Sequence, residues 1–507
     1  MSNANFFRLG ALTVLLCIAG NAFILNAQTS FEEYKRKAQQ EFEEYRTQKR
    51  NEFEAYREKV NKEFADYMSK AWPEFKTEPA MPAPAVPEPP APNVAPPDQK
   101  PSNEPFPFSK VTPVPKAPEK PVPLLPQPNK DTTPGKTPKP GIEPVKPVGP
   151  QVSFNYYGRK CDVPFSESLR FSLRGADENN VAQAWKHLAG DESVATVRKC
   201  VELRDNMRLS DWGYLRLVEK LADAVFPNKR NESRLLQMFL MTQSGYKVRI
   251  GRQGENLVIL VPCDEVIYNY RYIPMNGSKY YITDRSVGAG STRIFNREFP
   301  GEKMFSLIIP QQPELAIEPT QPRKFKSSFN PSIDLNVSVN KNLIDFYNDY
   351  PLNSHWNLYA KASLSDYLKK QVYPKLQEAI AGKDDVEAAG ILLHFVQTAF
   401  DYKTDEEQFG IERSFFPDET FSYPFCDCED RAILFATLVK ELIGLDAVLI
   451  HYPGHLASAV KFNGDVAGDY FNINGEKYIV CDPTYINAGV GMAMRQYKDS
   501  SAEIIRL

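Results

Sequence analysis

Aromatic residues recur with a period of 11 between residues 31 and 75. The Phe residues at this spacing are Phe31, Phe42, Phe53, Phe64 and Phe75, and a Tyr lies three residues after each of the first four, at Tyr34, Tyr45, Tyr56 and Tyr67. Eleven residues occupy about three helical turns, so these rings stay on one face of a nearly straight helix. The pattern therefore predicts a long, coiled-coil-like amphipathic helix over residues 28–76.

A lone helix cannot shield these aromatic rings from water. We therefore expect residues 31–75 to form a homo-oligomer or to dock onto another surface. Binding to a membrane surface is the alternative. The polar face disfavours it, because Glu is as common there as Lys or Arg, whereas interfacial helices carry a basic excess.

Proline dominates the chain after this helix. Of the 42 Pro residues, 25 lie between Pro79 and Pro150. A segment of this composition cannot bury enough apolar surface to form a core, so we predict a disordered, extended linker over residues 77–150. Its simplest role is that of a spacer, and recognition of its Pro-rich stretches by a partner is the alternative.

The globular part, residues 151–507, contains two stretches in which helical and strand-like patterns follow one another in the same order. An amphipathic helix begins near Asn231 in the first stretch and at Cys428 in the second. Strand-like runs then end at Asp284 and Asp482, so the spacings are 53 and 54 residues. This predicts a duplicated α+β unit in which 151–330 is a chemically inactive copy. Chance similarity between two α+β segments is the alternative.

Charge and hydropathy exclude two classes of protein. The chain has 507 residues and a formal net charge of −3, so it lacks the basic excess of a nucleic-acid-binding protein. One long apolar run, Leu9 to Ala27 after Arg8, is too little for a multi-span membrane protein. The run predicts a signal peptide over residues 1–27, with an uncleaved membrane anchor as the alternative. We expect an exported protein that is periplasmic, envelope-associated or secreted.

Three residues in the last third of the chain have the order and setting of a catalytic triad. Cys428 opens a segment with helical apolar periodicity, and the partial positive charge of a helix start favours a thiolate. His455 begins one strand and Asp482 ends the next, so antiparallel pairing of these strands would bring the two side chains together. We therefore predict that Asp482 orients His455 and that His455 deprotonates Cys428.

The run "YPFCDCEDRAILFATLVKELIGLDAVLIHYPGHLASAVKF", followed by "KYIVCDPTY", resembles the core of the transglutaminase-like superfamily. The resemblance covers residues 386–490 and implies an α+β, papain-like fold. It implies that Cys428 is the nucleophile, His455 the base and Asp482 the orienting carboxylate.

The resemblance also implies an oxyanion hole completed by a side chain upstream of the nucleophile, for which Gln408 and Tyr423 are both candidates. One position departs from the family pattern, because Cys426 stands where a Gly is common before the Asp-Cys pair.

A zinc site is the strongest chemical alternative, and it would use ligands from Cys426, Cys428, His451, His455 and Cys481. His-x-x-x-His sites usually bind metal from one face of a helix. The Pro-Gly pair between these two His residues prevents such a face. Family members can depend on calcium, but the chain has no acidic loop of the Asp-x-Asp-x-Asp-Gly type, so we expect no metal and no cofactor. An inert, buried Cys428 is a further alternative.

These observations predict an exported cysteine-dependent amide hydrolase or acyl transferase, with residues 331–507 as its catalytic domain. The substrate would be a peptide or protein, not a nucleic acid, and the intermediate a thioester. Hydrolysis is favoured over cross-linking because water needs no second binding site. The alternative function is a non-catalytic scaffold that binds a peptide or the cell wall through an oligomerising helical stalk.

Overall fold

The structure is a computed structural model of the full chain. It describes residues 36–37, 40–41, 44–45, 47–49, 51–82, 94–125, 149–353 and 355–507. The predicted signal peptide, 1–27, lies outside the described residues. Within the described part, none of the helices is long and apolar enough to cross a membrane.

The chain forms two compact units. The smaller comprises Met1–Glu63 and Leu125–Pro138, and its described residues between 36 and 63 are helical. The larger comprises Phe64–Leu124 and Lys139–Leu507, and it contains all the sheets and the candidate site.

The helices of the described residues are α1 (51–68), α2 (Glu178–Leu188), α3 (Ser193–Asn206), α4 (Asp211–Val225), α5 (Arg230–Gln243), α6 (Lys341–Asn348), α7 (Trp356–Lys361), α8 (Asp366–Ile380), α9 (Asp385–Ala399), α10 (Asp405–Phe409), α11 (Pro417–Ser422) and α12 (Cys428–Leu438). The strands are β1 (Glu74–Lys76), β2 (Phe108–Thr112), β3 (Gln151–Tyr156), β4 (Arg159–Pro164), β5 (Arg249–Gln253), β6 (Asn256–Cys263), β7 (Tyr272–Met275), β8 (Ser278–Ile282), β9 (Ser291–Ile294), β10 (Arg323–Lys326), β11 (Asp334–Val337), β12 (Asp401–Tyr402), β13 (Phe425–Cys426), β14 (Asp446–Tyr452), β15 (His455–Lys461), β16 (Tyr470–Ile473), β17 (Glu476–Cys481) and β18 (Ala502–Arg506).

Two six-stranded sheets share one strand order. The first runs β1-β9-β5-β6-β8-β7 and the second runs β2-β18-β14-β15-β17-β16. In each, one helix (α5 or α12) precedes five strands of the sheet along the chain, and an edge strand comes from the N-terminal segment. The sheets differ at that edge, because β1 is antiparallel to β9 whereas β2 is parallel to β18.

The registers of the two sheets also correspond. A two-residue turn joins each central hairpin, so Asn256 in β6 has the position of His455 in β15. If the β6–β8 register is extended by two pairs, Asp284 lies opposite the residue two positions after Asn256. If the β15–β17 register is extended by one pair, Asp482 lies opposite the residue two positions after His455. Shared order and register favour duplication of one unit over chance similarity.

The core of the second sheet positions the candidate site. Apolar side chains of the sheet, such as Ile450, Ala459 and Val480, form one buried cluster. Every residue of α12 is buried, and the helix contacts β14 and β15 as well as α7 and α9. A helix buried on all sides belongs to the core, so the residue at its start is held by packing rather than by a loop.

Part of the predicted linker is incorporated into the fold. Residues 94–125 were expected to be extended and disordered, but Phe108–Thr112 forms β2 at the edge of the second sheet. Phe106 is 4% exposed and joins the core of that sheet. The prediction was wrong here because five consecutive residues lack Pro and can pair their N–H groups, while two Phe side chains supply apolar area to bury.

The predicted aromatic helix also ends earlier than expected. It stops at Met68, whose carbonyl accepts a hydrogen bond of 2.8 Å from the Trp72 indole N–H. Phe75 lies in β1 rather than on the helix. Phe64 packs against Trp185 and Phe295 with ring centroids 4.9 and 4.7 Å apart, so this repeat ring is covered by the chain's own domain.

Candidate functional site

Local structure sets the position of Cys428. The short strand β13 pairs in parallel with β12, which aligns Cys426 with Tyr402. Asp427 is the N-cap of α12, and Cys428 is its first residue, as the sequence predicts. The first backbone N–H groups of a helix have no partner within the helix, and Cys428 lies among them.

His455 and Asp482 are paired in the core of the second sheet. Nε2 of His455 lies 2.8 Å from Oδ2 of Asp482. The other oxygen of Asp482 accepts hydrogen bonds from the backbone N–H groups of Thr484 and Tyr485, at 2.9 and 3.3 Å. The two residues are 3% and 2% exposed, so the carboxylate is fixed and shielded from water. The predicted meeting of this His and Asp is present.

The second nitrogen of the His455 ring, Nδ1, is buried and has no hydrogen-bond partner within the described part of the chain. With Nε2–H donated to Asp482, Nδ1 carries a lone pair and can accept a proton. An imidazole in this state can act as a general base towards a proton donor placed near Nδ1.

Cys428 lies near this pair, and two contacts show it. Burial raises the pKa of Cys428, and a hydrogen bond from the backbone N–H of Leu456, next to His455, opposes part of that rise. Tyr497 is stacked on the His455 ring with centroids 5.3 Å apart, and both Asp482 and Cys428 contribute to raising the pKa of Tyr497, after burial. Tyr497 therefore stacks on His455 and lies close enough to Asp482 and Cys428 for their charges to affect it.

The thiol itself is held in its neutral form. Burial, followed by the charges of Glu429 and Asp427, raises the pKa of Cys428 well above its usual value. Its Sγ lies 3.2 Å from Oε2 of Glu429, to which it donates a hydrogen bond. The expected help from the helix start is outweighed, so ionisation of Cys428 requires a base such as His455.

The two oxyanion candidates both donate to other acceptors. The Tyr423 hydroxyl donates to Oδ1 of Asn348 at 2.8 Å, and the Gln408 amide donates to the Phe425 carbonyl at 3.3 Å. Tyr402, which sequence reasoning missed, is better placed. Its hydroxyl is buried without a hydrogen-bond partner in the described structure, and the nearby Cys428 contributes, after burial, to raising its pKa.

The residues of the zinc alternative do not converge. In the described part of the chain, the groups of three or more residues that could hold a metal contain only Asp and Glu. His451 lies instead against Trp356 and Glu503, with the Trp356 ring centroid 4.6 Å from its own. Cys426 and Cys481 are buried, and the six described cysteines form no disulfide.

The positions of the first sheet that correspond to Cys428, His455 and Asp482 do not carry these residue types together. Asn231, in the position of Cys428, donates to the Glu255 carbonyl and accepts from the Leu257 N–H, both at 2.9 Å. Asp284, in the position of Asp482, is paired with Arg230. The side chains of Asn231 and Asp284 therefore both take part in contacts between α5 and the first sheet.

A cluster of acidic residues surrounds the start of α12, and sequence reasoning missed it. It consists of Asp405, Glu412, Asp427, Glu429 and Asp430. Burial and neighbouring carboxyls raise the pKa of Asp405 to about 8 and that of Glu412 to about 10. The first two members come from a segment about 20 residues upstream, so only the fold brings the five together.

The chain matches no protein-family model, no curated protein and no solved structure. The fold is a mixed α+β architecture with mainly antiparallel sheets and buried helices.

Proposed function

We propose that this protein is an exported, transglutaminase-like cysteine enzyme that hydrolyses amide bonds of peptides or proteins. The observation that carries the proposal is the buried His455–Asp482 pair. Nδ1 of His455 has no hydrogen-bond partner in the described structure, and His455 begins β15, the strand that packs against the helix opened by Cys428. A Cys–His–Asp arrangement of this kind would support cysteine-based acyl transfer.

The reaction begins at the Cys428 sulfur. Nδ1 of His455 takes the thiol proton while the sulfur attacks the substrate carbonyl carbon, and Asp482 stabilises the imidazolium through Nε2–H. The tetrahedral intermediate then loses its amine, which takes the proton from His455, and a thioester remains. Water, deprotonated by His455, adds to the thioester, and the carboxylic acid and the thiol are released.

The negative charge that develops on the substrate oxygen in the tetrahedral intermediate must be stabilised by hydrogen-bond donors near Cys428. The backbone N–H groups at the start of α12 supply one kind of donor. The unpartnered Tyr402 hydroxyl supplies another, because it is buried beside Cys428 and its own hydrogen-bonding capacity is unused. Tyr402 takes the role that the sequence assigned to Gln408 or Tyr423.

Water is the proposed acceptor, which makes the enzyme a peptidase or deamidase rather than a cross-linker. The apolar run before Gln28 supports export, and an exported hydrolase with an N-terminal helical segment would act at the cell envelope. Oligomerisation through the helix remains part of this proposal, since Tyr45 and Tyr56 are 59% and 47% exposed.

A non-catalytic scaffold is the second candidate, and one observation favours it. Cys428 is only 5% exposed and its thiol pKa is raised, as for an inert core cysteine. The two functions differ in thiol reactivity: an enzyme must let small molecules and substrate reach the sulfur, whereas a scaffold need not.

The test is reaction of the purified full chain with iodoacetamide below pH 8, with each cysteine read by peptide mass mapping. We expect Cys428 to be alkylated faster than Cys200, a buried thiol in α3, and Cys428→Ala to lose all peptide cleavage or deamidation. Cys200→Ala is the matched control and should retain activity. Equal, slow alkylation of both thiols would favour the scaffold.

A further inference from the structure

The Pro-rich segment joins the two edges of the second sheet. β2 pairs with β18 at one edge, and the residues just before β2 reach β16 at the other edge. There the Phe106 N–H donates to the Tyr470 carbonyl at 2.8 Å, and the Tyr470 N–H donates to the Glu104 carbonyl at 3.3 Å. Residues 104–112 therefore bridge both edges of the sheet that carries His455 and Asp482.

Immediately upstream, the same segment holds the chain that follows β17. The Gln99 side chain accepts a hydrogen bond from the Tyr485 hydroxyl and donates one to the Ala493 carbonyl at 3.5 Å. The Lys100 carbonyl accepts from Nη2 of Arg495 at 2.6 Å. The Pro-rich segment thus makes specific polar contacts with the chain between Tyr485 and Arg495, in addition to the strand pairing.

The buried carboxylate of Asp469, which is 0% exposed, connects the two segments. Its Oδ1 accepts from the N–H and the hydroxyl of Ser102 at 2.9 and 2.6 Å. Its Oδ2 accepts from the Ala493 N–H and from Nη1 of Arg495 at 3.1 and 3.4 Å. The Ser102 hydroxyl also accepts from Nη1 of Arg495 at 2.8 Å. Because a buried carboxylate is costly without such partners, this network favours one relative position of the two segments.

The chain held in this way carries the residue that stacks on His455. Arg495 and Tyr497 are the first and last residues of one 3₁₀ turn. The Tyr497 ring lies on the His455 ring with centroids 5.3 Å apart and planes inclined by 13°. Ser102 and Asp469 therefore reach the His455 ring through Arg495 and Tyr497.

We propose that Ser102 and Asp469 are positioning residues, which fix the orientation of the His455 ring through Arg495 and Tyr497. The proposal rests on the proposed function, since it concerns the same histidine. A ring that can rotate presents Nδ1 less often to the thiol of Cys428, so proton transfer slows. The Pro-rich segment then takes part in the reaction and is more than a spacer.

The experiment uses the full chain and begins with Ser102→Ala, which removes the hydroxyl between Asp469 and Arg495. We expect the rate of Cys428 alkylation by iodoacetamide at neutral pH to fall about threefold. Ser102→Thr retains a hydroxyl and should restore the wild-type rate. Ser109→Ala is the matched control, because this serine of the same segment donates to the Ala502 carbonyl at 3.2 Å and does not contact Asp469. It should alkylate like wild type.

A double-mutant cycle tests whether the effect passes through Tyr497. Tyr497→Ala alone should lower the alkylation rate about tenfold, and adding Ser102→Ala should lower it no further. Independent effects would instead multiply to about thirtyfold, and that result would overturn the proposal.

The His455 ring can also be observed without any reaction. The chain has five His residues, so a ¹³C-histidine-labelled protein gives few ring signals in NMR spectra, and His455→Gln identifies the signal of His455. Ser102→Ala should shift this signal at constant pH, whereas Ser109→Ala should not. A signal that Ser102→Ala leaves unchanged, or that both variants shift equally, would overturn the proposal. If Cys428 of the wild type reacts no faster than Cys200, the proposed function fails, and the NMR comparison still decides whether Ser102 positions His455.

Discussion

His455 and Asp482 are joined by a 2.8 Å hydrogen bond between Nε2 and Oδ2, 27 residues apart in sequence and adjacent in the sheet. The antiparallel pairing of β15 with β17 creates this contact, since it sets the start of one strand beside the end of the other. The pair leaves Nδ1 as the only ring nitrogen able to accept a proton. Chemistry at this site therefore depends on which tautomer the carboxylate holds.

Changing Asp482 to Asn should remove that control. The amide can present an N–H to the ring, so His455 would adopt the other tautomer and lose its acceptor at Nδ1. We expect peptide hydrolysis to fall by about 10³-fold or more, with little change in the folded state. The measurement is turnover of a peptide substrate together with circular dichroism.

Asp284→Asn is the matched control for this variant, because Asp284 has the equivalent register in the first sheet. It should leave turnover unchanged. Equal losses in the two variants would mean that both act through folding and that Asp482 has no special part in the reaction.

Part of the candidate site could be predicted from the sequence, and the residues that were missed have physical reasons. Cys428 and Asp482 lie at ends of elements that local hydrophobic periodicity marks. Their positions, and the order of elements shared by the two sheets, could therefore be predicted from the sequence. The contact of Tyr497 with His455 could not be predicted, because Tyr497 belongs to a short 3₁₀ helix, Arg495–Tyr497, that follows β17 and reaches His455 only through the fold. Asp405 and Glu412 likewise reach α12 only through tertiary packing.

Tyr497 should act as a positioning residue for the His455 ring. Its ring stacks on His455 at 5.3 Å and on Tyr452 at 4.6 Å. Tyr497→Ala removes this ring, so His455 loses its fixed orientation and becomes a poorer base, and we expect the rate of Cys428 alkylation at neutral pH to fall about tenfold, with a shifted pH profile. Tyr497→Phe retains the ring and should alkylate like wild type. An equal loss in the two variants would mean that the hydroxyl rather than the stacked ring is responsible, and no loss in either would mean that Tyr497 does not position His455.

Asp211 should make folding stability fall between about pH 4 and pH 6. Burial raises the pKa of this carboxyl to about 6 in the folded chain, against about 4 when unfolded. The folded state therefore holds the proton more tightly, and its contribution, roughly 3 kcal/mol at most, is fully present below pH 4 and lost as the pH rises through 6.

Melting temperatures of wild type and Asp211→Asn across this range provide the measurement. The asparagine variant cannot ionise, so its stability relative to wild type should increase as the pH rises from 4 to 7. A constant difference between the two would show that the carboxyl does not titrate in this window. Asp465→Asn, at an exposed site, serves as the control for general charge effects.

Phe106→Ala tests whether the Pro-rich segment is part of the fold. Phe106 is 4% exposed and its ring centroid lies 5.9 Å from that of Phe471 in β16, so truncation should leave a cavity in the core of the second sheet. We expect a loss of about 3–5 kcal/mol in unfolding free energy by urea titration.

Val114→Ala is the matched control. Val114 lies two residues beyond β2 and is 43% exposed, so its truncation should change stability by about 0.5 kcal/mol or less. A segment that served only as a spacer would tolerate both changes equally, whereas a segment packed into the core of the second sheet makes the phenylalanine far more sensitive than the valine.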